Sequence, residues 1–445
     1  MAMGGGTFSV QNKTLPGAYA NFVSVGNTTL RGERGIVALP LELNWGAENK
    51  VVPIKAESFS QISLKELGYA HTAPELLLVR EALKRAGTLL LYRINSGGTK
   101  ASVTTGGMTV TAKYGGTRGN DLKVAILTNV DNASNVDVVT YLGGAEMDRQ
   151  TVAASGGAAN LKANSYVTFG SAATLTAAAA ASLTGGTNGT VNGTAYSAWI
   201  SSLEVETFQT IGYPGTDAAV KALVTAFVKR LRDDEGKKVV GVLYQYTNAD
   251  SIGLISVKNG VILDDGTTIS GDKAVCWVAA ASASAKINES LTNASYDGAV
   301  DVDTKYTKSQ FEAAIKAGEF VFYADSGKAR VLSDINTLTT FSTTVSADWT
   351  INRVVRVIDS WANDVARIFG EGYLGTQTNS DTARALFKAD LVALGKEYEA
   401  LDAISDFTTE DVTVIQGTGK RDVSVHCAIQ PNDSMEKLYM TVMVN

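Results

Sequence analysis

Two histidines, His71 and His426, are the first residues to consider for chemistry, because imidazole is a common general base and zinc ligand. A catalytic triad or a zinc site needs several such side chains to converge, and these two lie far apart in the sequence. His71 stands beside a helix start, and His426 falls on one face of a strand pattern. The sequence therefore predicts a structural role for each histidine.

Four Gly-Lys dipeptides raise the question of a phosphate-binding loop. Such a loop requires another glycine five residues earlier, so that backbone N–H groups can surround the phosphates. That earlier position holds Leu231, Phe322, Asp390 and Val414 instead. The sequence therefore predicts no nucleotide site and no other cofactor.

Two groups of carboxylates could in principle bind a cation. They are Asp264 with Asp265, and Asp297 with Asp301 and Asp303. Asp-Asp-Gly is typical of a hairpin turn, and neither spacing matches a calcium loop. We interpret both groups as solvated turns and predict no metal site.

The tryptophans and cysteines fit a core better than a reactive site. Trp277, Trp349 and Trp361 follow helical patterns and are predicted to be core anchors rather than a ligand cage. Cys276 lies in a helical pattern and Cys427 in a strand pattern, where each is expected to be a small buried apolar residue. No disulfide is predicted.

Length and charge limit the class of protein. The chain has 445 residues and a formal charge of −6, with acidic and basic residues interspersed. That length indicates roughly two to four domains, and the charge argues against a nucleic-acid binder or a basic membrane-surface protein. Residues 1–6 lack the blocks of a signal peptide, and no apolar stretch approaches the roughly 18 residues of a membrane span. We expect synthesis in the cytosol and no insertion into a membrane.

Residues 96–195 differ in composition from their surroundings. They contain 16 of the 43 glycines and neither proline nor tryptophan. Alternating runs at 108–114 and 122–127 predict strands between Gly-Gly turns, residues 177–181 predict one short helix, and residues 185–189 resemble an exit linker. We expect a sandwich-like all-β domain inserted between two parts of another domain.

From Trp199 onward the sequence is typical of an α/β domain. Thr216 is expected to cap a helix whose apolar residues recur with a 3.6-residue period and which Gly236 ends. Thr307 and Gln310 have the spacing of a capping box ahead of another helix. The remaining expected elements are a strand at 238–246, helices at 272–288 and 311–317, and two long helices at about 349–369 and 380–401 joined by glycine-rich residues 370–375.

Three strands are predicted at the end of the chain, at 411–416, 423–429 and 437–444. Their apolar faces hold Val412 and Val414, then Val423, Val425, Cys427 and Ile429, then Leu438, Met440, Val442 and Val444. A long uncharged strand at a sheet edge is an aggregation hazard unless something covers it. Two alternatives stay open: the last strand closes its own domain, or it pairs with a partner such as another copy of the chain.

Several stretches, in this order and spacing, resemble one family. They are LPGAYANF at 15–22, RGIVALP at 34–40, NGVILDDG at 259–266, KAVCWVA at 273–279, SLTNASYDGA at 290–299, NRVVRVI at 352–358 and IQPND at 429–433. Together they resemble the tail sheath proteins of contractile-tailed bacteriophages and related prophages. The inserted β region is the least similar part.

The resemblance implies a subunit that forms six-membered rings, stacked helically around an inner tail tube, with terminal arms that add strands to neighbouring sheets. On that basis the arm residues are Tyr19, Phe22, Val23 and Val25, and Leu438, Met440, Val442 and Val444. The acceptor hairpin carries Val412, Val414, Val423, Val425, Cys427 and Ile429. Candidate tube contacts on the second long helix are Lys388, Lys396, Glu397 and Glu399. Other implied partners are baseplate and tail terminator proteins, with no nucleic acid, in a phage tail or phage-like particle assembled in the host cytoplasm.

We therefore predict a multidomain α+β or α/β fold with a mixed-sheet core, an inserted β sandwich and strand arms at both ends. The expected divisions are an arm at 1–30, core at 31–95, insertion at 96–195, α/β core at 196–348 and a C-terminal domain at 349–445. Two other classes remain. A secreted surface-layer or adhesin subunit would suit the Thr/Gly-rich region but lacks a signal peptide here, and an α/β nucleotide-binding enzyme lacks its phosphate loop. We expect a structural protein and not an enzyme.

Overall fold

The computed structural model describes residues 34–444, together with the backbone of β1 (Gly5–Gly6) and β2 (Ala18–Tyr19), which pair in parallel. Of the N-terminal arm, Phe22, Val23, Val25 and the side chain of Tyr19 lie outside the described residues. The described chain forms a central α/β part from two segments, a β part inserted between them, and a C-terminal part with its own core.

Two buried strands dominate the first segment of the central part. The sequences of β3 and β5, IVALPL and TLLLYR, are nearly continuous apolar runs, as a parallel sheet covered on both faces requires. Helix α1 ends where Gly68 adopts a φ of +76°, and a Cβ at Gly68 would lie 2.8 Å from the Trp45 ring. The elements are β3 (Ile36–Leu41), β4 (Val51–Lys55), α1 (Phe59–Leu67), α2 (Leu77–Leu83) and β5 (Thr88–Arg93).

The inserted region is a β sandwich, as predicted. One sheet has the order β10-β9-β8-β12 and the other the order β11-β7-β6. Alternate residues of both sheets, among them Val110 and Val124, fill the space between them. The strands are β6 (Ser102–Thr105), β7 (Met108–Ala112), β8 (Leu122–Thr128), β9 (Asn135–Leu142), β10 (Ala145–Ala153), β11 (Val167–Phe169) and β12 (Ala178–Ser182).

The helix predicted at 177–181 is wrong, because the last four of these alanines belong to strand β12. Ala178 pairs with Ile126, and Ala181 pairs with Val124, on the neighbouring strand β8. Alanine has the highest helix propensity, but the open edge of β8 offers backbone partners, and such tertiary pairing overrides a weak local preference.

The second segment completes a seven-stranded sheet of order β19-β15-β14-β13-β3-β5-β4, in which only β4 runs antiparallel to its neighbour. Helices α2 and α5 cover one face, and α3 and α4 cover the other. The mixed-sheet α/β core is therefore confirmed. The elements are α3 (Gly193–Ser202), β13 (Thr210–Gly212), α4 (Ala218–Asp233), β14 (Val240–Tyr244), β15 (Leu254–Val257), β16 (Val261–Leu263), β17 (Thr268–Ile269), α5 (Gly271–Ser284), β18 (Ala299–Val302), α6 (Lys308–Lys316), β19 (Glu319–Phe320), β20 (Phe322–Asp325) and β21 (Lys328–Val331).

Two helix caps test the sequence predictions. Asp217 caps α4 instead of Thr216: its carboxylate accepts hydrogen bonds from two backbone N–H groups of the first turn, at 2.7 and 3.1 Å. The capping box of α6 is confirmed, with Gln310 Oε1 accepting from the backbone N–H of Thr307 at 2.8 Å. Where two adjacent residues can both cap, the pattern alone does not choose between them.

Two of the three tryptophans are core anchors as predicted. Trp277 is 0% exposed and Trp361 is 8% exposed. Trp349 is only half-buried and lies in a short 3₁₀ turn, Ala347–Thr350. Helix α7 begins after it, at Asn352, so the predicted start of this helix lay too close to the N-terminus.

The C-terminal part has two long helices and four short strands. The strands pair as β22 with β25 and as β23 with β24. The glycine-rich link predicted at 370–375 is partly wrong, because Gly370 and Gly372 continue α7. The elements are α7 (Asn352–Gly372), α8 (Asp381–Ala400), β22 (Ile404–Ser405), β23 (Val412–Gln416), β24 (Val423–Cys427) and β25 (Gln430–Pro431).

Buried polar contacts join α7 to the central part. Arg232 of α4 pairs with Asp359, and Arg356 pairs with Asp334 at 3.4 Å, with all four side chains buried. A buried ion pair is costly to break, because the partner left behind keeps an uncompensated charge. The C-terminal part is therefore held firmly against the core.

Candidate intersubunit surface

The hairpin of β23 and β24 presents two open edges. Its cross-strand bonds from Gly417 N to Asp422 O, at 2.8 Å, and from Ala428 N to Asp411 O, at 2.9 Å, fix which residues face the partner strand. Because inward and outward backbone groups alternate in an antiparallel pair, the intervening residues turn their N–H and C=O groups outward. They are Val412, Val414 and Gln416 on β23 and Val423, Val425 and Cys427 on β24. Within residues 34–444, no backbone group bonds to them from outside the hairpin.

The turn of the hairpin is fastened to the helices. Asn379, in the link between α7 and α8, donates from its side-chain amide to the carbonyls of Lys420 and Asp422, at 3.1 and 2.9 Å. The carboxylate of Asp422 accepts from the N–H of Gly419 at 2.8 Å. The hairpin is thus preformed, and its edges are held in a fixed position.

The predicted acceptor residues line the inner face of this hairpin. Val412 is buried, while Val414, Val423, Val425, Cys427 and Ile429 are half-buried against the core of α7 and α8. The structure therefore brings all six predicted residues onto one apolar face. Their half-buried state leaves apolar surface that a further strand could cover.

Two of the four charges predicted to contact the tube have a structural task on α8. Lys396 and Glu399 lie 2.7 Å apart, and they bond to the carbonyl and the N–H of Phe407. A Cβ at Gly395 would lie 1.9 Å from the Phe407 ring, so this loop can pack only because position 395 is glycine. Lys388 and Glu397 are half-buried elsewhere on the helix.

The chain beyond β25 is anchored at two points before it leaves the core. The N–H of Asn432 donates to the carbonyl of Ala403 at 2.9 Å, and the carboxylate of Glu436 accepts from the hydroxyl of Thr292 at 2.7 Å. The strand predicted at 437–444 is not formed, because no described backbone group is hydrogen-bonded to it. We call residues 437–444 the tail.

The tail exposes its apolar side chains. Leu438 is 86% exposed, Met440 74%, Val442 67% and Val444 90%. Burial of such side chains is the main favourable term in folding and association, so this exposure is unfavourable in water. The alternative in which the last strand closes its own domain does not hold for this conformation. The chain presents an unpaired apolar tail and an open apolar hairpin edge.

The root of the N-terminal arm is also pinned. Arg34, the first residue of the continuously described chain, donates to the carbonyls of Ala285 and Ser282 at 2.8 and 3.2 Å and to the hydroxyl of Ser360 at 3.1 Å. Burial, and then the nearby Arg356, lowers the pKa of Arg34 to about 10. The guanidinium stays charged at neutral pH and ties the arm to both α5 and α7.

The residues that could do chemistry do not converge. His426 is exposed on β24, and His71 is exposed in a loop against Phe59. Burial raises the pKa of Cys276 to about 12, and burial followed by Asp411 raises that of Cys427 to about 11, so both thiols are protonated at neutral pH.

The two groups of carboxylates also have separate structural roles. Asp265 lies in the hairpin turn between β16 and β17, as predicted, and accepts from the N–H of Thr267 at 2.8 Å. Asp297 instead joins elements, pairing with Arg85 and accepting from Trp277 Nε1 at 2.9 Å. Within the part of the chain that the structure describes, no group of three or more His, Cys, Asp or Glu side chains could hold a metal ion.

Membrane insertion has no helical candidate in the described chain. None of the described helices combines the length and the apolar character needed to cross a bilayer.

Four family descriptions match consecutive stretches of the chain. Residues 34–94 match the tail sheath protein Gp18 domain III N-terminal region, and residues 96–188 match the phage tail sheath protein beta-sandwich domain. Residues 189–337 match the phage tail sheath protein central domain, and residues 344–445 match the phage tail sheath C-terminal domain.

Whole-chain similarities agree with these matches. The chain is 36% identical to the phage-like element PBSX protein XkdK of Bacillus subtilis, over 100% of both chains. It is 45% identical to a sheath tail protein of Desulfitobacterium hafniense of known crystal structure, with a TM-score of 0.83 over 96% of this chain and 99% of that one. The contracted helical sheath of the anti-feeding prophage shares the fold alone, at 11% identity, with a TM-score of 0.54 over 96% of this chain and 99% of that one.

Proposed function

Since the chain belongs to the phage tail sheath family, as its motifs predicted, we propose that it is the subunit of a contractile sheath whose copies are linked by exchanged strands. The observation that carries the proposal is the coexistence of an unpaired apolar tail and an open hairpin edge in one chain. In this proposal the tail of one copy extends the hairpin sheet of another. The predicted strand 437–444 then forms only in the assembly.

The energetics favour such a link. Each apolar tail residue that becomes buried contributes about 1.5–3 kcal/mol, and each added backbone hydrogen bond contributes about 0.5–1.5 kcal/mol. Ordering of the tail offsets part of this gain. The exposed apolar groups of Leu438, Met440, Val442 and Val444 supply the burial, and the outward groups of the hairpin supply the bonds.

The links act as hinged tethers between rigid bodies. Arg34 is fixed to the core where the N-terminal arm joins it, and Asn432 and Glu436 are fixed to it ahead of the tail, so both tethers start from fixed points on the core. Subunit cores can then exchange an extended packing for a contracted one while the tethers stay paired. Two discrete packings of different energy are sufficient, and no nucleotide is consumed.

The assembly consists of six-membered rings stacked helically around an inner tube, capped by baseplate and terminator proteins, in a phage tail or phage-like particle formed in the host cytoplasm. The long helix α8 contacts the tube. Charge reversal at Lys388 tests this contact better than a change at Lys396 or Glu399, because the latter two hold Phe407 in place.

Negative-stain electron microscopy of the purified chain tests the proposed function. We expect tubes or rings with sixfold symmetry that form without nucleotide. Monodisperse monomers at all concentrations and salt conditions, or an ATP or GTP hydrolysis that copurifies with the chain, would contradict it.

A further inference from the structure

The two edges of the hairpin differ in the apolar surface beside them. On β23 the inward-facing residues are Val412, which is already buried, then Val414 and the polar Gln416. On β24 and its continuation they are Val423, Val425, Cys427 and Ile429, all half-buried and all apolar. The edge of β24 therefore offers four apolar positions at a spacing of two, whereas the edge of β23 offers one that is not yet buried.

A cavity of about 340 Å³ borders the same edge at the turn end of β24. Its apolar lining comes from Phe369, Tyr373, Leu374 and Phe387, together with Val423 itself. Leu374 is 64% exposed at this site. An added strand that runs along β24 toward the turn would reach the cavity with its last residues.

The tail matches this edge in length and spacing. Its apolar residues Leu438, Met440, Val442 and Val444 also recur at a spacing of two. The four of them can therefore lie opposite the four apolar positions along β24. A one-residue slip would turn this apolar face to solvent, so the pairing has a defined register. An antiparallel ladder is slightly more stable per residue than a parallel one. In the antiparallel orientation the end of the tail, Val444, lies next to the cavity.

We propose that the tail of a second copy pairs antiparallel with the edge of β24, with Val444 opposite Val423, Val442 opposite Val425, Met440 opposite Cys427 and Leu438 opposite Ile429. The last residues of this tail close the cavity at Leu374. The inference rests on the proposed strand exchange and adds to it the edge, the direction and the register. Tail residues of even number then bond to β24, and those of odd number turn their backbone groups away.

The native cysteine at 427 makes the register measurable. Directly opposed residues of a bonded antiparallel pair have Cα atoms about 5.5 Å apart, within the range of about 4.4–6.8 Å that a disulfide requires. The other cysteine, Cys276, is 0% exposed and does not interfere. The double variant Met440→Cys, Cys427→Ser is mixed with the wild-type chain, assembled, oxidised at pH 8.5 and separated on a non-reducing gel. A disulfide between positions 440 and 427 can then form only between copies.

We expect a crosslinked dimer from Met440→Cys, and little from the matched variants Leu438→Cys, Thr441→Cys and Val442→Cys in the same Cys427→Ser background. A dimer from Leu438→Cys alone would mean a register shifted by two residues. A dimer from Val442→Cys alone would mean a parallel or oppositely shifted strand. Either result overturns this inference but leaves strand exchange intact. Polymers that form with no dimer from any variant, yet require the tail, would overturn the assignment to β24. Polymers that form without the tail would instead overturn the proposed function.

The cavity has its own test on the surface of the folded chain. Leu374→Asp should raise the concentration needed for assembly by roughly 10-fold or more, because a carboxylate would face the incoming apolar residues. Leu386→Asp is the matched control, since Leu386 is 56% exposed on α8 and does not line the cavity. Equal effects of the two variants would contradict the assignment of the cavity to the tail.

Discussion

The guanidinium of Arg232 in α4 donates to both carboxylate oxygens of Asp359 in α7, at 2.6 and 2.8 Å, and both side chains are buried. A bidentate pair of this kind fixes orientation as well as distance. It joins the central α/β part to the part that carries the hairpin. The hairpin edge is therefore rigidly related to the core.

Removal of Asp359 should destabilise the chain strongly. Asp359→Ala leaves the buried charge of Arg232 without its carboxylate partner, and we expect a loss of about 3–5 kcal/mol in the free energy of unfolding. Glu312→Ala is the control, because its pair with Lys308 is exposed and contributes about 1 kcal/mol or less. Urea unfolding followed by tryptophan fluorescence measures both. Equal losses would mean that the pair does not hold the two parts together.

Sequence periodicity predicted part of the core, and the order and spacing of the motifs indicated the family. The 3.6-residue period of the apolar residues in α4 predicted that buried helix correctly, because burial on a fixed face requires a fixed period. Local preference failed where a tertiary partner decided the outcome. The alanines at 178–181 lie in a strand that pairs with β8 instead of forming a helix, and Trp349 lies in a turn outside α7.

At the candidate site, too, the local pattern predicted the apolar faces but not the contacts that depend on the fold. The alternation in 423–429 and 437–444 predicted two apolar faces, and in the structure the hairpin side chains do share one face, while their role as acceptors of a strand remains a prediction. The tasks of Lys396 and Glu399 at Phe407 could not be predicted, because they depend on a loop returning over α8 at Gly395. The arm residues, the tube contacts and the domain boundaries remain predictions.

The thiol of Cys427 should react slowly with maleimide. Its pKa is raised to about 11, first by burial and then by Asp411, so its thiolate fraction at pH 7–9 is smaller than that of an ordinary cysteine. In the unassembled chain the labelling rate should still rise about tenfold per pH unit between pH 8 and 10, whereas an unperturbed thiol would level off near pH 9. Mass spectrometry of quenched samples, with Cys427→Ser as the blank, gives the rate. A plateau near pH 9 would refute the raised pKa.

The β sandwich should be dispensable for assembly. The segments that enter and leave it lie side by side, with Thr187 N donating to Thr99 O at 3.1 Å, so a short glycine linker can replace residues 99–187 without disturbing the cap of α3 at Asn192. We expect a folded chain that still polymerises but melts at a lower temperature, because Trp45 loses its contact with Tyr114.

Circular dichroism and electron microscopy of this deletion variant separate folding from assembly. Trp45→Ala in the intact chain is the control for the lost packing, with an expected cost of about 3–5 kcal/mol. A deletion variant that folds but forms no polymer would show that the sandwich belongs to the contact surface.

Proline should distinguish the two sides of the tail. Val442→Pro removes an N–H that bonds to β24 in the proposed register, and we expect assembly to weaken strongly. Thr441→Pro removes an N–H that points away from that ladder, and its effect should be much smaller. Sedimentation across a concentration series gives the concentration at which each of the two variants assembles. A larger effect from Thr441→Pro would reverse the assigned faces.

Truncation of residues 437–445 tests the central claim, strand donation, most directly. The truncated chain keeps Glu436 and its bond to Thr292, so the anchors of the tail remain intact. We expect calorimetry to show a melting temperature within about 2 °C of that of the unassembled full chain, because exposed side chains contribute little to a monomer's stability. Sedimentation velocity should show a monomer that forms no polymer at concentrations where the full chain does. A strongly destabilised chain, or one that still polymerises, would contradict strand donation.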